Sequence, residues 1–275
     1  MAGPPEAPLP PDTRDWIEPF LEALENGWVR AAERDESGAW HAVPWVKAGI
    51  LIGFRAGVLA DMSPRDPEGG RVGPFSFVDK DTFPAQEFDI DDGVRIVPGG
   101  STVRRGAYVA PQVVCMPPMY VNVGAYVGRR TMVDSHVLVG SCAQIGERVH
   151  LSAAAQIGGV LEPINAAPVI IEDDVIVGGN CGVYEGTVVR AGAVLGAGVV
   201  LTRGTPVFDL VREQVYRGSR DAALEIPAGA VVVPGARRVA HGWGAAQGLA
   251  LQTPVVVKYR DEKTDAATAL EAWLR

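Results

Sequence analysis

Three cysteines in 275 residues, Cys115, Cys142 and Cys181, leave no CxxC pair. That spacing excludes a disulfide framework and a thiolate metal cluster, and points to a reduced, cytoplasmic protein. No run of about 18 or more apolar residues occurs, so no membrane partner and no membrane span are expected. The opening MAGPPEAPLPPDTRDW lacks a basic stretch followed by an apolar one and does not read as a secretory signal. Basic residues are in deficit, 25 against 33 acidic, giving a formal charge of -8 and a pI near 5.1. That balance argues against a nucleic-acid partner, which usually demands a basic face. Aromatics are scarce at 7%, and there are only four histidines. A zinc hydratase on a repeat scaffold needs three protein ligands. Only His136 and His150 fall within the repeat described below, so no metal is expected.

Glycine, by contrast, is plentiful at 33 residues. With few aromatics, that skew suits a repetitive β architecture with tight corners better than a helical bundle. The Pro- and Ala-rich residues 1–12 lead to a helical pattern, Trp16, Ile17, Phe20, Leu21 and Leu24, with Asp12 or Thr13 as its cap. Residues 28–33 and 39–43 flank Asp35-Glu36-Ser37-Gly38 and predict a hairpin. A second helix is predicted from Trp45 to Arg55, and residues 56–92 read as irregular. Toward the other end, short strands are expected at 230–233 and 255–258 and a helix at 264–274.

The centre of the chain carries the decisive pattern. Every sixth residue from Val97 is apolar: Val97, Val103, Val109, Cys115, Val121, Val127, Val133, Val139, Ile145, Leu151 and Ile157. The series breaks over residues 159–168 and resumes as Ile171, Val177, Val183, Val189, Leu195 and Leu201. A period of six is not a whole number of 3.6-residue turns, so a helix cannot keep that column on one face. Two residues before each member stands a smaller one, such as Ala107, Ala125, Thr131 or Ala143, and glycine often follows directly, as at Gly128, Gly140 and Gly146. Such a hexad fits one flat side of a triangular coil, and three hexads make one coil of a stacked solenoid. Five to six coils are predicted, with the break as a loop that leaves the coil and rejoins it. The expected organisation is an α/β segment at 1–92, the β-solenoid at 93–206, and a strand and helix extension at 207–275. Cys115 and Cys181 occupy repeat positions and read as core filling.

Within the repeat lie Met119-Tyr120-Val121-Asn122-Val123-Gly124-Ala125-Tyr126-Val127, Thr131-Met132-Val133-Asp134, Val139-Gly140-Ser141-Cys142-Ala143-Gln144-Ile145-Gly146 and Gly158-Gly159-Val160-Leu161-Glu162-Pro163. Trp45-Val46-Lys47-Ala48 and Ile226-Pro227-Ala228-Gly229-Ala230 stand outside it. Together these segments resemble the signature of the tetrahydrodipicolinate N-succinyltransferases, from about residue 25 to the end. The resemblance implies a mainly β protein, a left-handed parallel β-helix. It implies a homotrimer with active sites in the grooves between neighbouring copies. It further implies transfer of a succinyl group from succinyl-CoA, a co-substrate, to the amine of ring-opened tetrahydrodipicolinate in lysine and diaminopimelate synthesis. The hexad alone is shared by other acyl-CoA N- and O-acyltransferases, so an acetyl donor stands as the alternative.

An amine attacking a thioester needs an unprotonated nitrogen, a fixed approach and a stabilised oxyanion, and no nucleophilic Ser or Cys. Asp134 follows the column residue Val133 and is expected at a coil corner. By resemblance it contacts the substrate amine and takes its proton. The family often has Glu three positions before the glutamate of its Val-x-Glu-Gly, and Gly182 stands there instead. Glu185 is the surviving carboxylate, and it either takes the general-base role or leaves Asp134 to work with water or a neighbouring chain. Arg95 matches an Arg that binds a substrate carboxylate, which a planar guanidinium meets in a fork. Glu162, on the excursion, is a candidate for orienting the amine. Lys258 and the pair Arg237-Arg238 are candidates for the phosphates of coenzyme A.

Overall fold

A computed structural model describes residues 8–220 and 222–260 of the chain. The helix expected at 264–274 lies outside these residues. A single 3-10 turn, Thr13–Trp16, leads into α1, Ile17–Glu25, whose Ile17, Leu21 and Leu24 are buried. No side chain caps α1, contrary to expectation. The Thr13 hydroxyl turns back to the Pro10 carbonyl at 2.6 Å, and the preceding turn already engages the amides of Thr13 and Asp15. The predicted hairpin forms as β1, Ala32–Arg34, against β2, Trp40–Ala42, with the Asp35 carboxylate accepting from the amides of Ser37 and Ala39 across its turn. The second helix, α2, is Pro44–Ala56, with proline in its first turn, where no amide hydrogen is needed. Residues 56–92 are less irregular than predicted. They hold an antiparallel pair, β3, Leu59–Asp61, and β4, Val78–Lys80. Leu59 and Val78 are exposed, so the pair lacks the apolar alternation that marks a half-buried strand.

From Arg95 onward the chain winds into a parallel β-helix with three flat faces, each built of two-residue strands stacked in register. The first face stacks Arg95–Ile96, Val114–Cys115, Met132–Val133, His150–Leu151, Ile176–Val177 and Val194–Leu195. The second runs from Thr102–Val103 through Tyr120–Val121, Leu138–Val139, Gln156–Ile157 and Gly182–Val183 to Val200–Leu201. The third runs from Tyr108–Val109 to Glu225–Ile226.

The apolar column faces inward on every coil, and the smaller residue two places earlier also faces in, from Ala107 and Val113 to Ala193 and Val199. Each fully buried Val, Ile or Leu contributes roughly 1.5–3 kcal/mol. Thr131, the polar member of the second column, satisfies its hydroxyl against the Gly146 carbonyl at 2.9 Å. Corners turn on a residue of positive φ three places after the column, among them Gln112, Arg130, His136, Cys142, Ala154 and Asn180. One member of the series differs from the reading above. Ile96, not Val97, pairs with Cys115 and packs on the core. The Gly99-Gly100 corner takes one extra residue, and that shifts the register of the first strand.

The N-terminal segment lies on the third face. Leu21, Leu24 and Ile50 share a buried cluster with Val123 and Cys142. The Arg30 guanidinium stacks 3.7 Å from the Tyr126 ring centre, and its Nε donates to Gln144 Oε1 at 2.9 Å. Buried Lys47 on α2 donates to the carbonyl of Ala166, tying that helix to the excursion. At the far end Ala230–Arg238 extends the first face and pairs antiparallel with Ala250–Tyr259. Both strands are longer than predicted, because their outer halves project past the coil, where no apolar pattern is required. A small hairpin, Val207–Asp209 with Gln214–Tyr216, joins the same sheet. It closes on buried Asp209, which accepts hydrogen bonds from the Tyr259 and Tyr216 hydroxyls at 2.6 and 2.9 Å.

Candidate active site

Asp134 stands at the corner between the first and second faces, on the third coil. Its Oδ1 accepts from the Ser135 amide at 2.7 Å, which fixes the carboxylate against its own turn. Oδ2 lies 3.8 Å from His150 Nε2, on the coil above. The Asp134 side chain is 28% exposed and that of His150 11%. A carboxylate held by one oxygen and partly open at the other is equipped to accept a proton from an ammonium group brought beside it.

Glu185 stands at a different corner, between the second and third faces, two coils further on. Its backbone is distinctive. Glu185 and Gly186 both have positive φ, +56° and +72°. Non-glycine residues of positive φ recur at the corners of this coil, but here the conformation is shared by two adjacent residues. Glu185 Oε2 accepts from the Arg203 amide at 3.0 Å. The corner borders an open cavity of about 630 Å³ between Tyr184, Glu185, Thr202 and Arg203 on one side and Gly159 and Pro163 of the excursion on the other. Gly182 faces outward from the second face, and a side chain there could be seated only if the Tyr184 ring moved aside. A Cβ would lie 2.9 Å from both Cζ and Oη of Tyr184. The ring of Tyr184 thus fills the place that a carboxylate at position 182 would need.

The other expected residues divide between the same two edges. Arg95 is exposed on the outward side of the first face, two coils before Asp134. Lys258 belongs to the same ten-stranded sheet, opposite Val231 in the projecting hairpin, whose other strand carries Arg237 and Arg238. Glu162 goes the other way. It lines a hollow against α2 with Leu51, Arg55 and Lys80, on the excursion that leaves the edge bearing Glu185. One chain therefore brings Asp134 and Arg95 to one sheet and Glu185 and Glu162 to another edge, and does not join the two sets. Tyr184 and Arg203 were missed by reading the sequence. Their only sequence signal is that Tyr184 directly precedes Glu185. His136 is a left-handed corner residue, φ +63°. Among the described residues no three His, Cys, Asp or Glu side chains gather as metal ligands. Burial pushes the thiols of Cys115 and Cys142 up to about 12.

Comparison with known proteins bears on what these edges do. Residues 5–56 match the N-terminal model of tetrahydrodipicolinate N-succinyltransferase, and residues 168–203 match the hexapeptide repeat of succinyl-transferase. A 2,3,4,5-tetrahydropyridine-2,6-dicarboxylate N-succinyltransferase from Polynucleobacter asymbioticus is 41% identical over 271 residues, covering 97% of this chain and 91% of that one. The enzyme of that name from Rhodopseudomonas palustris is 42% identical over 273 residues, covering 96% and 90%. The chain belongs to the tetrahydrodipicolinate N-succinyltransferase family. The three-faced coil is that family's hexapeptide-repeat fold, the left-handed parallel β-helix. At the second corner of this chain Gly182 and Tyr184 form an interlocking pair.

Proposed function

We propose that the chain transfers the succinyl group of succinyl-CoA to the amine of ring-opened tetrahydrodipicolinate, giving N-succinyl-2-amino-6-oxopimelate in lysine and diaminopimelate biosynthesis. Identity of 41–42% to enzymes of that name across nearly the whole chain carries this reading. The amine nitrogen attacks the thioester carbonyl, the tetrahedral adduct collapses, and coenzyme A leaves as thiolate. The proton lost by the amine passes to a carboxylate and from there to the departing sulfur, so the enzyme ends as it began. Asp134 is the proposed acceptor of that proton, with Glu185 as second acid. Arg95 holds a substrate carboxylate, Glu162 orients the amine, and Lys258 meets a phosphate of the coenzyme.

Asp134 and Glu185 stand on different edges, and this supports a site completed between two copies. A heterologous contact of one edge with another closes into a ring when the rotation permits. The proposed ring is a homotrimer, working in the cytoplasm. Purified protein supplied with tetrahydrodipicolinate and either succinyl-CoA or acetyl-CoA, with release of free thiol followed, tests the reaction. Acceptor-dependent release, faster with the succinyl donor, is expected. No release from folded protein with either donor would remove the proposal, and preference for acetyl-CoA would change the donor.

A further inference from the structure

The proton-transfer scheme leaves Tyr184 and Arg203 without a task. On the second face, the coils flanking Gly182 carry Gln156 and Val200 outward, so a bare glycine between them is a gap in the surface. Tyr184 lies in that gap. Gly158, the place stacked directly before Tyr184, is bare as well, and a Cβ there would fall 2.8 Å from the ring's Cδ1. Two glycines on successive coils thus give the ring a fitted bed. Packing accounts for the ring but not for its hydroxyl, which makes no hydrogen bond among the described residues, and Tyr184 is one of the residues that line the cavity.

Arg203 faces the same cavity from the next coil. Its Nη2 reaches only the Glu185 carbonyl, at a long 3.4 Å, and it makes no ion pair among the described residues. Most of its five donors are therefore uncommitted. Glu185, the acid that lines the same cavity, has an oxygen occupied by the Arg203 amide. A phenol donor and a planar guanidinium on one wall of an open cavity suit a carboxylate.

We propose that Tyr184 and Arg203 form a carboxylate-binding subsite in the cavity beside Glu185. The proposal rests on the acyl-transfer reading for its ligand, since succinyl donor and dicarboxylate acceptor both carry such a group. Binding and kinetics separate the two sources. Pimelate, a linear dicarboxylate, is titrated by calorimetry into wild type, Tyr184→Phe and Arg203→Met, each saturated with coenzyme A. Tyr184→Phe keeps the ring on its glycine bed, so its folding is not at stake. Each variant is expected to bind pimelate, or to show a KM for one substrate, weaker by about tenfold or more, the loss typical of a hydrogen bond to a charged group. A rise in the KM for succinyl-CoA and not for acetyl-CoA assigns the site to the donor's terminal carboxylate. An equal rise in the acceptor KM with both donors assigns it to the acceptor. If wild type binds pimelate through these residues but turns over neither donor, the subsite stands and the acyl-transfer reading falls. If wild type is active and both variants keep every KM and the pimelate affinity within about twofold, a change too small for a lost charged contact, the subsite is overturned.

Discussion

Asp134 and Glu185 were both legible as candidates, but for unequal reasons. Asp134 follows a column residue, so the repeat alone places it at a corner with its side chain outward, and the structure adds the Ser135 bond and the nearness of His150. The unusual backbone of Glu185 left no such trace, because the repeat predicts one left-handed residue per corner and this corner has two. The pairing of Tyr184 with Gly182 was equally hidden. A hexad says which side chains point out, not how one of them folds back over its neighbour. If Asp134 takes the amine's proton, Asp134→Asn lowers kcat by about 100-fold or more with the melting temperature retained. Glu185→Gly is the more incisive change at the second corner. Glycine accepts φ +56° at no steric cost, so thermal stability is expected to hold or rise while turnover falls. Turnover retained in that variant would deny Glu185 a part in the chemistry.

Among the elements, the two-residue strands were easiest to foresee, since an inward position on a narrow coil tolerates little but Val, Ile, Leu and small residues. What escaped was governed by local geometry: the extra residue at Gly99-Gly100, the exposed β3–β4 pair, and the length of the projecting hairpin. Coil stacking makes its own prediction. A Cβ at Gly128 would fall 2.5 Å from the carbonyl carbon of Gly146 on the next coil, whereas one at Gly204 would meet nothing within 4 Å. Gly128→Ala is therefore expected to lower the melting temperature by several degrees, the effect of about 1–3 kcal/mol of overpacking. Gly204→Ala is expected to leave it unchanged, and equal effects would contradict the stacking.

At the level of the whole molecule, Asp209 joins the small hairpin to the long one at the end of the coil. Burial opposes its ionisation, but hydrogen bonds from Tyr259, Tyr216 and the Arg212 and Val211 amides outweigh this and hold the carboxyl below its ordinary range. A carboxylate lowered on folding stabilises the protein fully above its unfolded pKa of about 4, and the contribution is lost as pH falls through the folded value. Melting temperature is thus expected to drop on acidification through that window. Asp209→Asn should melt lower at neutral pH and show a shallower acid dependence. An acid profile identical to wild type would place the linkage elsewhere.

The separation of Asp134 and Glu185 onto two edges has a genetic counterpart. If every working centre borrows Asp134 from one copy and Glu185 from the next, two dead alleles can rescue one another. In a ring assembled at random from equal amounts of Asp134→Asn and Glu185→Gln chains, about one junction in four inherits both intact carboxylates, a consequence of heterologous contacts alone. Co-expression should then restore about a quarter of wild-type activity, and a cell lacking the enzyme should grow on the pair but on neither alone. Were both acids to serve within one chain, the mixture would stay as dead as its parts.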